Sequence, residues 1–128
     1  MKNGFYIDVG AHDPNFISVT KAFYLKGWYG INIEPLPNLF KALQIYRRRD
    51  INLNIGIGEK EGIATLNIDN KCKACTSLIK RIVNNTKRYS YLNITINTMS
   101  YICKNMSLKM KKFNFAKLMW KVLREKFY

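Results

Sequence analysis

Three residues near the start of the chain have the types and spacing needed to bind an adenosine. Gly10 directly follows a strand-like run, and Asp8 stands two residues before it. A glycine at a strand end lets a ligand approach the backbone closely, because it has no side chain. Glu34 follows 24 residues after Gly10, at the end of a second strand-like run. A carboxylate at that place can accept hydrogen bonds from both ribose hydroxyls.

The spacing of the glycines distinguishes between kinds of adenosine ligand. The pyrophosphate-binding pattern G-x-G-x-x-G would need glycines at positions 12 and 15, which are His12 and Asn15. An adenosine without a pyrophosphate is therefore expected, and S-adenosylmethionine fits that description. Taken singly, Gly10 could simply end a strand, and Glu34 could be a surface turn residue. Their combination and spacing favour the pocket.

The apolar pattern of the first half predicts alternating strands and helices. Predicted strands cover residues 5–9 and 28–33, and Ile51, Leu53, Ile55 and Ile57 alternate as a third. Between the first two, Ser18 is a candidate N-cap, and Lys26 and Gly27 can close the helix. The apolar face of this helix comprises Val19, Ala22, Phe23 and Leu25.

A second helix is predicted to begin at Pro37, a residue suited to the first helical position. Its expected buried side comprises Leu39, Phe40, Leu43 and Tyr46. The cations of 47–49 suit the end of this helix. Strand, helix, strand, helix, strand in this order predicts right-handed crossovers and a parallel sheet. The fold class predicted is α/β, with a Rossmann-like parallel sheet and flanking helices.

The second half of the chain gives weaker patterns. Alternation in 64–68 predicts a hairpin partner for the third strand, and alternation in 92–96 predicts a further strand. Residues 70–89 form a polar, basic connector, and 98–106 suit a short helix. The last segment, 113–128, fits a basic amphipathic helix, although 113–119 could instead begin as a strand.

The net charge of +14 attracts phosphates, acidic membranes and nucleic acid without selecting one of them. No run approaches the roughly 18 apolar residues of a membrane span, and the start does not resemble a signal peptide. A cytoplasmic protein is expected, without a specific nucleic-acid partner. The basic tail over 109–126 could contact the inner membrane face peripherally, or form a solvated basic face on a packed helix.

Three cysteines, Cys72, Cys75 and Cys103, are an odd number for a disulfide framework. Cys72 and Cys75 have the spacing of a zinc knuckle, but a closed zinc site uses four ligands. Free thiols and no metal site are therefore expected.

Three blocks of sequence occur in an order and spacing typical of one enzyme family. They are "GFYIDVGAHDP", "KGWYGINIEPLPNLF" and "RRRDINLNIGIGEKEGIATL", and they lie within residues 4–68. A weaker similarity continues through "TSLI" at 76–79 and "ITINTMSYI" at 94–102. In these blocks the chain resembles the FkbM-type S-adenosylmethionine-dependent methyltransferases.

The resemblance implies methyl transfer from S-adenosylmethionine, usually to a hydroxyl of a sugar, glycan or secondary metabolite. It places Glu34 at the ribose of the cofactor. The residues it places at the methionine end are Asp8, Gly10, Ala11 and His12. Ser18 and Thr20 match a Ser-x-Thr of the family that approaches the cofactor, although capping of a helix is an equal alternative.

The chain departs from the family pattern near its end. The family's fourth strand, of the type I-D-F-L-K-I-D-V-E-G, carries acidic residues beside the transferring methyl group. At the corresponding place this chain has "FNFAKLMWKVL", residues 113–123, with Asn114 where Asp is usual. No catalytic base is therefore assigned. The expectation is a single, incomplete methyltransferase domain over 1–128.

An incomplete sheet would leave an edge to be covered by the C-terminal segment, a second copy or a partner chain. Two alternatives to an active enzyme stay open from the sequence. The chain could be an inactive remnant that still binds the cofactor, or a half-domain that needs a partner. A basic protein that binds nucleic acid or a membrane surface is a further alternative.

Overall fold

A computed structural model describes residues 4–11, 13–15, 18, 20–71 and 88–107. The elements in chain order are β1 (Phe5–Val9), α1 (Lys21–Leu25), β2 (Tyr29–Ile33), α2 (Pro37–Tyr46), β3 (Ile51–Leu53), β4 (Gly56–Ile57), β5 (Gly62–Asp69), β6 (Tyr89–Asn97) and α3 (Met99–Ser107).

The first sheet has the strand order β1-β2-β3, and both pairings are parallel. Ile7 lies beside Ile31, which lies beside Ile51. A helix connects each strand to the next, as the alternation of the sequence predicts. This mixed α/β arrangement, with a parallel three-stranded sheet and flanking helices, fits a Rossmann-like methyltransferase.

The two faces of the first sheet differ in chemistry, because successive side chains on a strand point to opposite faces. One face is apolar and packs against Met99 and Ile102 of α3. Its buried strand residues are Phe5, Ile7, Ile31 and Ile33. The other face carries Tyr6, Asp8, Asn32 and Asp50, all of them buried. A sheet with such a polar face needs internal hydrogen-bond partners there.

The predicted third strand over 51–57 is two strands that belong to different sheets. β3 pairs with β2, whereas β4 pairs with β6 in a second sheet of order β4-β6-β5. Asn54 lies at the break, where its Nδ2 donates to the carbonyl oxygens of Glu34 and Pro35 at 2.9 and 3.0 Å. These bonds hold the chain to the end of β2 and turn it out of the first sheet.

The hairpin prediction for residues 64–68 was wrong about the partner strand. β5 pairs antiparallel with β6, from Gly62 opposite Ile96 to Asp69 opposite Tyr89. The alternation identified both strands correctly. It did not identify their pairing, because a period of two shows which residues share a face and not which strand lies alongside.

The first helix is shorter than predicted. Its N-cap is Thr20 rather than Ser18, and Leu25 on the predicted apolar face is 72% exposed. Phe23 also lies partly in solvent, with its ring 4.6 Å from that of Trp28. Gly27 has φ +90°, which confirms the predicted left-handed end of the helix.

The second helix begins at Pro37 as predicted, and Leu43 is its buried residue. Tyr46, predicted to face the core, is 55% exposed. The next residue, Arg47, is instead 1% exposed. The end of α2 therefore places a guanidinium, and not an aromatic ring, against the polar face of the first sheet.

The last described helix lies where the sequence predicts one. α3 confirms the short helix predicted over 98–106. The middle of the connector and the basic tail lie outside the described residues. Among the described helices, none is long and apolar enough to cross a membrane. The same part of the chain contains no cluster of three or more His, Cys, Asp or Glu side chains that could hold a metal ion.

Candidate functional site at the carboxyl edge of the first sheet

The residues that end β1, β2 and β3 meet at one edge of the sheet. The amides of Gly10 and Ala11 both donate to the carbonyl oxygen of Ile33, at 2.8 and 3.2 Å. The amide of Glu34 donates to the carbonyl oxygen of Leu53 at 3.0 Å. Gly10 thus lies against the peptide that joins Ile33 to Glu34. The structure brings Gly10 to the backbone of Glu34, from which the sequence separates it by 24 positions.

Gly10 adopts a conformation that few other residues tolerate. Its φ is +68°, in the left-handed region. A Cβ atom built on Gly10 would have no described atom within 4 Å. Among the described residues, no side chain therefore requires a glycine here. The requirement comes from the backbone conformation, and the space that the described residues leave beside Gly10 can admit a ligand.

The carboxylate of Glu34 is held in a defined orientation at the end of β2. Glu34 is 4% exposed, and its Oε2 accepts a hydrogen bond from the amide of Leu36 at 2.8 Å. Its own carbonyl oxygen accepts a bond from Asn54. Glu34 is therefore buried rather than a surface residue, with its main chain bonded to Leu53 and Asn54 and its carboxylate bonded to the turn into α2.

The other residues that the resemblance places near the cofactor have varied surroundings. Asp8 is 5% exposed, and its Oδ2 accepts a hydrogen bond from the hydroxyl of Thr20 at 2.9 Å. Ala11 is buried beside Gly10. His12, which the resemblance also places at the methionine end, lies outside the described residues.

Ser18 has partners within the chain. Its Oγ accepts one bond from the amide of Lys21 at 3.2 Å and another from Nη2 of Arg47 at 2.8 Å. The first of these bonds satisfies an amide in the first turn of α1, as a capping side chain does. The predicted contact between Ser18 and a cofactor stays a prediction.

A buried polar network beneath this edge was missed by the sequence analysis. Its centre is Arg47, whose Nη1 donates to the hydroxyl oxygens of Tyr6 and Thr20 at 3.1 and 3.2 Å. Its Nη2 donates to the carbonyl oxygen of Pro14 at 3.0 Å, and to Ser18. The guanidinium thereby joins the end of α2 to β1 and to the segment that follows β1.

Asp50 supplies the negative charge of the network. Its Oδ2 lies 3.9 Å from Nη1 of Arg47. The carboxylate accepts bonds from the hydroxyl of Tyr6, from the amide of Gly30 and from Nδ2 of Asn32, the last two at 2.9 Å. We call Tyr6, Asn32, Arg47 and Asp50 the Arg47–Asp50 network.

Burial controls the protonation of this network. It raises the pKa of the Asp50 carboxyl above its ordinary value, against the lowering effect of the bonds from Tyr6 and Asn32. Burial, together with the hydrogen bond to Asp50, also raises the pKa of the Tyr6 phenol well above its ordinary value. The phenol of Tyr6 therefore stays protonated and donates to Asp50.

A signal for this network was present in the sequence. Parallel strands covered on both faces usually read as continuous apolar runs. Here polar residues alternate with apolar ones in all three strands, with Tyr6 and Asp8 in β1, Asn32 in β2, and Asp50 and Asn52 around β3. Such alternation in a parallel sheet indicates a polar layer on one face.

Comparison with known proteins places the chain in a family. The model of the FkbM methyltransferase domain matches residues 8–118, most of the chain. The chain belongs to the FkbM methyltransferase family. The match begins at Asp8, includes Gly10, Glu34 and the network residues Asn32, Arg47 and Asp50, and continues beyond α3; Tyr6 precedes it. No significant match was found among curated proteins or among solved structures.

Substitutions at Gly10 separate the conformational requirement from the requirement for space. We expect Gly10→Ala to lower the free energy of unfolding by about 1 to 2 kcal/mol, because alanine resists the left-handed region. Gly10→Asn should cost less, since asparagine enters that region more readily. Urea unfolding of both variants measures this difference. Equal losses of stability in the two variants would contradict a conformational role.

Proposed function

We propose that the carboxyl edge of the first sheet binds S-adenosylmethionine. In this proposal the backbone at Gly10 lies against the methionine end, and the Glu34 carboxylate accepts hydrogen bonds from the ribose hydroxyls. The observation that carries the proposal is the bond from the amide of Gly10 to the carbonyl oxygen of Ile33. It brings Gly10 next to the main chain of Glu34, whose carboxylate is buried and held by the amide of Leu36.

The residues at this edge fit an adenosine cofactor in their chemistry. A glycine with no side chain of a described residue against it provides room, and a carboxylate at the end of the second strand suits a pair of hydroxyl donors. When bound, S-adenosylmethionine supplies a methyl group activated by its sulfonium. The task of the protein is to hold the acceptor in line with that methyl group.

The proposed acceptor is a hydroxyl group of a sugar, glycan or secondary metabolite. Family membership is the support for this part of the proposal. A base near the acceptor hydroxyl would assist transfer. The part of the family pattern that carries acidic residues beside the methyl group corresponds to residues outside the described ranges, so no residue is assigned as the base.

Calorimetric titration with S-adenosylmethionine and S-adenosylhomocysteine tests the binding site. We expect Glu34→Gln to weaken binding of both compounds by about tenfold, a loss of about 1.4 kcal/mol, because an amide accepts only one of the two hydroxyl bonds well. Glu59→Gln is the matched control, since Glu59 is an exposed carboxylate outside this edge. Affinity should not change in that variant.

Two results would count against the proposal. One is a folded wild-type protein that gives no heat and no cofactor-dependent rise in melting temperature; saturation at a hundred times the Kd should add about 2.7 kcal/mol of stability. The other is equal affinity in Glu34→Gln and wild type. Binding without transfer of a labelled methyl group to any sugar or glycan acceptor would support the alternative of a cofactor-binding protein without catalysis.

A further inference from the structure

Arg47 connects α2 with the segment after β1. The proposed cofactor site depends on the relative position of these two parts of the molecule. Arg47 comes from the end of α2, whose start is tied to Glu34 through the amide of Leu36. Its guanidinium reaches the segment after β1 at the carbonyl oxygen of Pro14 and at Oγ of Ser18. Glu34 and the segment after Gly10 are therefore linked through the body of α2.

A second link runs from Arg47 to the carboxylate of β1. Nη1 of Arg47 donates to Oγ1 of Thr20, and the same hydroxyl donates to Oδ2 of Asp8. The Thr20 hydroxyl thus has its proton directed at Asp8 and its lone pair directed at Arg47. This arrangement fixes the rotamer of Thr20 and restrains the Asp8 side chain two residues before Gly10.

The chemistry of this position requires an arginine rather than a positive charge alone. The planar guanidinium presents two Nη groups, and each of them serves two acceptors in the structure. A lysine could keep the charge beside Asp50, but its single ammonium has only three donors on a flexible stem. A lysine at position 47 would therefore bond to fewer of the four acceptors that Arg47 binds.

We propose that Arg47 is a positioning residue for the cofactor site, which holds the segment after Gly10 and the Asp8 carboxylate in place. The inference rests on the proposed function, because it concerns the same sheet edge. In this proposal Arg47 itself does not contact the cofactor. It acts through Pro14, Ser18 and Thr20, and its loss removes these contacts to the segment after Gly10.

The substitution Arg47→Lys tests this role, with Arg48→Lys as the matched control. Arg48 is adjacent and exposed, so the same chemical change is made one position away. We expect folded Arg47→Lys to bind S-adenosylhomocysteine at least about fivefold more weakly than wild type, and Arg48→Lys to bind like wild type. The two variants are compared by titration calorimetry under conditions in which circular dichroism shows both to be folded.

Hydrogen exchange gives a readout that needs no cofactor. Peptides covering residues 11–25 should exchange faster in Arg47→Lys than in Arg48→Lys, whereas peptides from β5 and β6 should exchange alike in the two. If Arg47 only stabilised the fold as a whole, Arg47→Lys would accelerate exchange throughout the protein. Equal exchange of residues 11–25 in the two variants would overturn the proposal, whatever the affinity.

A double-mutant cycle tests the path through Thr20. Thr20→Val keeps the shape of the side chain and removes the hydroxyl that joins Arg47 to Asp8. If Arg47 acts through this hydroxyl, the variant that carries both Arg47→Lys and Thr20→Val should bind S-adenosylhomocysteine almost as well as the single variant with the lower affinity. The further loss should be no more than about twofold. Fully multiplicative losses would overturn this path.

The outcomes separate failure of this inference from failure of the proposed function. Wild-type binding of S-adenosylhomocysteine, with unchanged affinity in folded Arg47→Lys, overturns the positioning role and leaves the cofactor site standing. Absence of binding by the wild type overturns both. If Arg47→Lys does not fold, Thr20→Val carries the test, and wild-type affinity in that variant overturns the role.

Discussion

Replacing Asp50 with alanine is expected to lower the free energy of unfolding by about 3 to 5 kcal/mol. The substitution removes the carboxylate beside Arg47 and leaves that buried guanidinium without its counter-charge. It also removes the acceptor for the Tyr6 hydroxyl, the Gly30 amide and Asn32. Buried donors that lose their acceptor retain the full cost of leaving water, so the loss exceeds that of a single hydrogen bond.

Urea unfolding followed by circular dichroism measures this effect. Glu61→Ala, which removes an exposed carboxylate, is the control and should leave the unfolding midpoint unchanged. Asp50→Asn should fall between wild type and Asp50→Ala, because it keeps one acceptor oxygen but loses the charge. A loss below about 1 kcal/mol in Asp50→Ala would show that the network does not stabilise the fold.

Tyr6 is expected to make the protein unstable at alkaline pH. The phenol of Tyr6 has a folded pKa well above its ordinary value, because it is buried and donates to Asp50. In the unfolded chain the phenol ionises near pH 10. Above that pH, unfolding releases a proton, so the unfolded state binds fewer protons than the folded state. The contribution of Tyr6 is complete below about pH 10 and falls by about 1.4 kcal/mol per pH unit above it.

A comparison of wild type with Tyr6→Phe isolates this contribution. The difference in unfolding free energy between the two should be constant at neutral pH and should shift by about 1.4 kcal/mol per unit above about pH 10, in favour of Tyr6→Phe. Tyr101→Phe, which removes an exposed phenol of α3, is the matched control and should keep the wild-type slope. A difference between wild type and Tyr6→Phe that stays constant to pH 12 would contradict burial of an un-ionised phenol.

Elements with strong local signals were predicted correctly from the sequence. Pro37 at the first helical position and Gly27 at a helix end have conformational preferences that hold in almost any context. The order of strands and helices predicted the parallel first sheet, since short βαβ connections allow few other topologies. The pairing of β5 with β6 could not be predicted in this way, because the strands are distant in sequence and alternation does not identify a partner.

The candidate site, like the fold, could be predicted from the sequence only in part. Glycine after one strand and glutamate after the next were enough to predict Gly10 and Glu34 at a common edge, because the carboxyl ends of neighbouring parallel strands lie together. The bonds that orient Glu34 came only from the structure. They depend on Leu36 and Asn54, whose positions follow from the turn into α2 and from the break after β3.

The sequence by itself determined the alternation of elements, the parallel first sheet and the common edge at which Gly10 and Glu34 lie. Only the tertiary structure decided which of three consecutive arginines is buried. Arg47, Arg48 and Arg49 have the same side chain, but the end of α2 turns Arg47 toward the polar face of the sheet and leaves the other two exposed. Burial of a charge depends on partners from distant parts of the chain. Tyr6 and Thr20 supply them once the strands have paired, in addition to the counter-charge of Asp50 three residues along the chain.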